Sequence, residues 1–284
     1  TNNPETGILP LIPDYISFKA GLFTTLKKDW QFTKLNFGIR YDIENQSVVT
    51  IERTGITEIV RFNNTYSNIS GTIGLSHQFS DRQSITFNTG YTMRNPAVNE
   101  LYSNGLHQGV SGIEEGDVNL STEKAIKATL EYKEQIGANF SFAALAYYQR
   151  FQDYIFLDPQ DDVRLTIRGA FPVFQYAQTD ANIYGLDLSS LISLNKSLIG
   201  ELKFSYVRGK NISDDVPLVN VPPVSLFGNI TYRVKQPITF AKVKMENIEL
   251  ELNDKFVFRQ DNLLPEQDFV IPPDAYNLIG LKFS

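Results

Sequence analysis

Apolar and polar residues alternate at every second position along most of this chain, and that pattern constrains the fold more than any other feature. Leu35, Phe37, Ile39 and Tyr41 alternate with Asn36, Gly38, Arg40 and Asp42; Ile126, Ala128, Leu130 and Tyr132 alternate with Lys127, Thr129, Glu131 and Lys133. Leu226, Gly228, Ile230 and Tyr232 stand in the same way against Phe227, Asn229, Thr231 and Arg233. Successive side chains of a strand point to opposite faces, so each segment has one dry face and one wet face. Eleven strands are predicted, near residues 14–26, 31–43, 67–79, 84–95, 123–135, 138–157, 175–192, 198–209, 224–235, 239–257 and 274–284. No helical pattern exceeds a turn or two. A spanning helix needs about 18 consecutive apolar residues, and the longest apolar run, Phe142 to Tyr148, falls far short.

The connections narrow the architecture. Tight polar turns at Lys27-Lys28-Asp29, Ser80-Asp81-Arg82-Gln83, Gln135-Ile136-Gly137-Ala138, Asn195-Lys196-Ser197 and Lys235-Gln236-Pro237 alternate strictly with long excursions at 44–66, 96–122, 158–174, 210–223 and 258–273. A soluble β-sandwich mixes loop lengths at both ends, whereas an outer-membrane barrel keeps short turns on one side and long loops on the other. The predicted fold is therefore all-β, a partial antiparallel transmembrane β-barrel. The proline stretches Leu9-Pro10-Leu11-Ile12-Pro13, Val221-Pro222-Pro223 and Ile271-Pro272-Pro273 each precede a predicted strand, where a missing N–H donor is tolerated.

Composition removes whole function classes. With 26 Lys plus Arg against 32 Asp plus Glu and a net charge of −6, the chain lacks the cationic excess that binds a phosphate backbone, so no nucleic-acid partner is expected. It has no Cys and two His, which eliminates disulfides, thiolate metal sites, cysteine nucleophiles and any multi-histidine centre. The 20 Phe and 14 Tyr suit strands. Acidic pairs at Glu114-Glu115, Asp161-Asp162 and Asp214-Asp215 fall in predicted loops without calcium-loop spacing. No Gly-x-Ser-x-Gly elbow occurs, so no catalytic residue, metal or cofactor is assigned.

One region resembles a known family. Tyr91-Thr92-Met93-Arg94-Asn95-Pro96, then Asn99-Glu100-Leu101-Tyr102-Ser103-Asn104-Gly105-Leu106-His107-Gln108-Gly109, then Glu114-Glu115-Gly116-Asp117-Val118-Asn119-Leu120 with Glu123, resembles the TonB-dependent outer-membrane receptors. In that family an Arg-x-Pro strand end leads into an Asn-Glu-Leu-Tyr-Ser loop and a Glu-x-Gly-Asn-x-x-Leu strand start. Here Asp117 replaces the Asn, and Leu106 and Gln108 flank His107 where Pro and a second His are common. Phe37 to Asp42, Tyr148 to Ile155, Ala181 to Asp187 and Leu218 to Pro223 resemble further family stretches in the family's order.

The resemblance implies the C-terminal half of a barrel of about 22 strands, occupying residues 1–284 with no plug domain and with final strands missing. It implies the outer membrane of a Gram-negative bacterium, lipid around the barrel, and TonB acting through the absent plug. The cargo it suggests is an iron compound, a ferric siderophore or similar; a glycan or cobalamin importer is the alternative, and a soluble β-sandwich adhesion module the further one. Ligand-binding loop candidates are Arg94, Glu100, Tyr102 and His107. Arg94 offers a forked cation to an anionic ligand, or pairs with Glu100 or Glu114 to pin the loop. His107 either touches ligand or bonds local backbone. His77 is expected at a membrane interface, and Tyr91, Tyr102, Tyr147, Tyr148, Tyr154, Tyr176 and Tyr206 are expected to form an aromatic girdle.

Overall fold

The computed structural model describes residues 11–52, 58–234, 237–240, 243–246, 248–263 and 272–284. In chain order the strands are β1 (Asp14–Asp29), β2 (Thr33–Glu52), β3 (Glu58–Ser80) and β4 (Gln83–Arg94), then helix α1 (Val98–Tyr102), β5 (Asn104–His107) and β6 (Gly112–Glu115). Next come β7 (Glu123–Ile136), β8 (Phe140–Thr166), β9 (Gly169–Ser193), β10 (Leu198–Asn211) and β11 (Val216–Pro217). The last are β12 (Ser225–Arg233), β13 (Ile238–Phe240), β14 (Val243–Met245), β15 (Glu249–Val257) and β16 (Tyr276–Phe283).

Eleven of these form one antiparallel wall in the order β1-β2-β3-β4-β7-β8-β9-β10-β12-β15-β16, with β1 and β16 at its two open ends. Each neighbour in the wall is the next long strand in sequence, the meander that hairpin connections build. The tight turn between β7 and β8 places Gly137 at φ +63°, where a residue without Cβ is unstrained.

Register turns the alternation into two surfaces. Leu26, Phe37, Ile73, Thr89, Ala128, Tyr148 and Tyr184 lie opposite one another across seven strands, and so share a face. The adjacent row, Lys27, Asn36, Gly74, Asn88, Thr129, Tyr147 and Gly185, takes the other face. The first face is the lipid side: its Leu22 and Leu281 are each 79% exposed, which water would not tolerate over a continuous band. The second face is polar, as a lumen requires.

Several expectations change. The stretches at 44–66 and 158–174 are not free loops: β2 and β3 pair up to Glu52 and Glu58, and β8 and β9 up to Thr166 and Gly169. β-Branched and aromatic residues, Val48, Val49, Val163 and Phe171 among them, continue the ladder past the polar positions that suggested a loop. Instead of one strand over 239–257, the short β13–β14 hairpin stands apart and β15 begins at Glu249, because β12 has only nine residues to pair. Of the seven tyrosines, Tyr91, Tyr148 and Tyr206 lie on the lipid-facing rows. Tyr147 faces the lumen, while Tyr102, Tyr154 and Tyr176 pack at the mouth. His77 sits on the outward face, bonded to Thr33 (Nδ1 to Oγ1, 2.8 Å) and edge-on to Phe79. Leu9-Pro10, Lys235-Gln236 and Ile271 lie outside the described residues.

Candidate functional site at the barrel mouth

The packed core of this chain lies at the mouth. A strand tilted through a membrane needs about ten residues; β2 and β3 have 20 and 23, and β8 and β9 have 27 and 25, so both hairpins project beyond the bilayer. Between them β4 and β7 stop at Arg94 and Glu123, and residues 95–122 fill the notch.

That segment is braced on both sides. Leu101 of α1, 2% exposed, packs with Leu120 and Ile155, with Tyr102 and Tyr176 against them. Tyr102 stacks on Phe62 of β3 at 5.0 Å, and its hydroxyl accepts from Asn64 Nδ2 at 3.0 Å. On the other side β6 pairs in parallel with β9, Ile113 to Glu115 against Val173 to Gln175, and Arg164 of β8 binds Glu115. A second cluster, Ala125, Phe151, Ala181 and Leu218, packs the β10–β12 connection against β7, β8 and β9.

The four candidates converge on this segment without forming one pocket. Arg94 Nη1 donates to both Glu100 oxygens at 2.9 and 2.8 Å, while Nε and Nη2 reach Glu123 at 3.3 and 3.2 Å. Glu100 also accepts the Ala97 N–H at 2.7 Å, satisfying a free donor at the start of α1. Glu123 accepts the Ile155 N–H at 3.0 Å. The pinning partner is Glu100 and not Glu114. Glu114 instead bonds His107 (Nδ1 to Oε1, 2.6 Å), across the β5–β6 hairpin, so His107 takes a side-chain partner where backbone was the expected one. The Arg94 and His107 side chains remain 44% and 45% exposed, whereas those of Glu100 and Glu114 are 13% and 7%.

Glu123 is quoted in the family-like stretch, but the sequence does not mark it as the partner of Arg94. It lies directly opposite Arg94 in the β4–β7 ladder, a relation visible only once that register is known. Glu44 is a further participant that the sequence left unmarked, and Asn95 and Tyr176, named there in the family-like run and the tyrosine set, had no bonding role assigned. Burial raises the Glu44 carboxyl, but hydrogen bonds from Gln46 and Asn95, the Lys19 charge and a bond from Ser17 outweigh it and hold the group below the usual carboxylate range. Burial, with the Glu114 charge, pushes the Tyr176 phenol up; its oxygen accepts from Asn99 at 3.0 Å.

A meandering antiparallel sheet with a lipid-side apolar face, a polar inner face, short turns on one rim and tall braced hairpins on the other defines a wall of a transmembrane β-barrel. The family model described as TonB dependent receptor-like, beta-barrel matches residues 2–283, and the chain belongs to this family of Gram-negative outer-membrane transporters. Solved structures share the fold. The copper transporter OprC is 19% identical with a TM-score of 0.76, over 94% of this chain and 40% of that one. The ferric yersiniabactin uptake receptor FyuA from Yersinia pestis is 10% identical with a TM-score of 0.67, over 95% and 38%. The FrpB iron transporter from Neisseria meningitidis (F3-3 variant) is 15% identical with a TM-score of 0.61, over 95% and 38%. The chain thus spans about two fifths of the length of these proteins. Comparison with the curated proteins returns no match.

Proposed function

We propose that the receptor carrying this chain imports an iron compound, a ferric siderophore or similar chelate, across the outer membrane. TonB drives it through a plug domain outside residues 1–284. The observation that carries this reading is the braced mouth segment, which holds a partly open guanidinium, Arg94, and a partly open imidazole, His107, between tall hairpins above a polar-walled lumen. Ferric chelates commonly present carboxylate or catecholate oxygens, and the Arg94 guanidinium, positioned by Glu100 and Glu123 through all three of its nitrogens yet 44% exposed, has an N–H beyond those bonds to offer such an anion. In this reading Arg94 and His107 touch the ligand, while Glu100 and Tyr102 set the loop that presents them. The iron, siderophore and copper transporters among the structural neighbours support a metal compound as the cargo class.

The test is uptake of labelled ferric siderophores by an iron-starved deletion strain complemented with the complete receptor gene, with and without functional TonB. TonB-dependent uptake of one siderophore class is the expected result. Unchanged iron uptake with loss of growth on a glycan, of cobalamin supply or of copper accumulation would overturn the choice of cargo.

A further inference from the structure

A carboxylate stands in the lipid-facing band. Asp254 of β15 lies in the outward row Phe142, Ser190, Leu202, Gly228, Asp254, Ile279, flanked along its own strand by outward Leu252 and Phe256. Other outward ionisable residues lie toward the rims or pair with an opposite charge: Lys28 and Glu134 stand beside the short turns, Arg208 beside a long loop, and Arg150 with its ion-pair partner Asp180 level with the mouth end of β7. Asp254 has apolar neighbours above and below it. Beside it on β16 is outward Asn277, which, with its amide nitrogen turned toward the acid, donates to the two carboxylate oxygens at 3.3 and 3.2 Å. Next to the pair the surface is hollow: a Cβ at Gly228 would meet nothing within 4 Å, and at Gly200 only Ile192, so the two glycines floor a groove walled by Leu202, Ile230, Leu252 and Ile279.

Acyl chains offer no hydrogen-bond donor, and an ionisable side chain facing lipid marks a functional contact by default. Small residues let a second polypeptide approach closely inside a membrane. The pair also has the property a two-fold contact demands, since it carries an acceptor and a donor side by side and so complements a rotated copy of itself. We propose that the outward face of β12, β15 and β16 is an interface between two copies of this receptor, closed by Asp254 of each copy against Asn277 of the other. The exposed Ile279 and Leu281 of one copy enter the glycine-floored groove of the other.

Residues 1–284 hold no cysteine, so once any cysteine elsewhere in the complete receptor is replaced by serine, single-site crosslinking is carried out in outer-membrane vesicles. Ile279→Cys with a short bismaleimide is expected to give a product of twice the receptor mass, and Phe37→Cys on the lipid face of β2 none. Adding Asp254→Leu and Asn277→Leu is expected to lower the crosslinked fraction at least tenfold, heat-modifiable gel mobility confirming a folded barrel. If that double variant does not fold, Asp254→Leu alone is expected to give the same loss. No doubled product from Ile279→Cys, a product of some other mass, or crosslinking unchanged by loss of the polar pair would each overturn the proposal.

Discussion

Arg94 ties α1 to the wall, because its guanidinium holds Glu100 from one side and the buried Glu123 from the other. Arg94→Ala removes these bonds, leaves Glu123 with the Ile155 N–H, and is expected to destabilise the mouth segment by roughly 1–2 kcal/mol, discounted for the exposure of the arginine. A spin label at Val110→Cys would report it as increased mobility, and Arg94→Lys should not restore order because an ammonium cannot span both carboxylates. Glu44 makes a pH prediction. Its folded carboxyl titrates below its unfolded counterpart, so its stabilising contribution is complete above the ordinary carboxylate range and is lost as pH falls through the folded value. Protease resistance of the β2–β3 hairpin should therefore weaken on acidification, and less steeply in Glu44→Gln. Arg94, Glu100, Tyr102 and His107 were all legible in the sequence as members of one loop motif. Their partners Glu123, Asn64 and Glu114 were not identified as such, because ladder register, a tall neighbouring hairpin and a hairpin inside the loop chose them.

The mouth segment owes its shape to close backbone approach. A Cβ on Gly116 would lie 2.5 Å from Leu101 C and Tyr102 N, all rigid backbone, and the Gly116 N–H donates to Ser103 O at 2.7 Å. Gly116→Ala is expected to push α1 off the end of β6 at about 1–3 kcal/mol, the range for overpacking a closed site. Accelerated proteolysis between 96 and 122, with the barrel still heat-modifiable, would register it. Strand existence was legible from period-2 alternation sustained along the segment, as in β2, β7 and the nine-residue β12. Strand ends were not: Glu44 to Ser47 and Asp158 to Asp162 look like loop by polarity, yet they lie in β2 and β8, whose polar outer portions stand above the membrane, where a polar strand is at no disadvantage.

For the whole molecule the two faces decide behaviour. Ile73→Arg on the lipid side is expected to reduce barrel stability by about 2–4 kcal/mol at mid-depth, and Ser76→Arg on the lumen side by far less. Urea unfolding in lipid vesicles separates the two; equal effects would contradict the assignment of faces. Among the described residues the sheet has unpaired edges at β1 and β16 beside a broad exposed apolar band. Residues 1–284 expressed alone are expected to need detergent or to associate edge to edge, and a monodisperse monomer in buffer alone would refute this. The sequence by itself determined the strand class, the two-faced wall, the rim of each connection and the exclusion of thiol, multi-histidine and phosphate-backbone chemistry, because alternation, loop length and composition are properties of the chain read locally. Only the tertiary structure decided which residues share a row, how far two hairpins rise, and that residues 95–122 lodge between them. Those outcomes depend on register and on contacts between segments far apart in sequence, such as Asn99 with Tyr176 and Asp254 with Asn277, which no local pattern encodes.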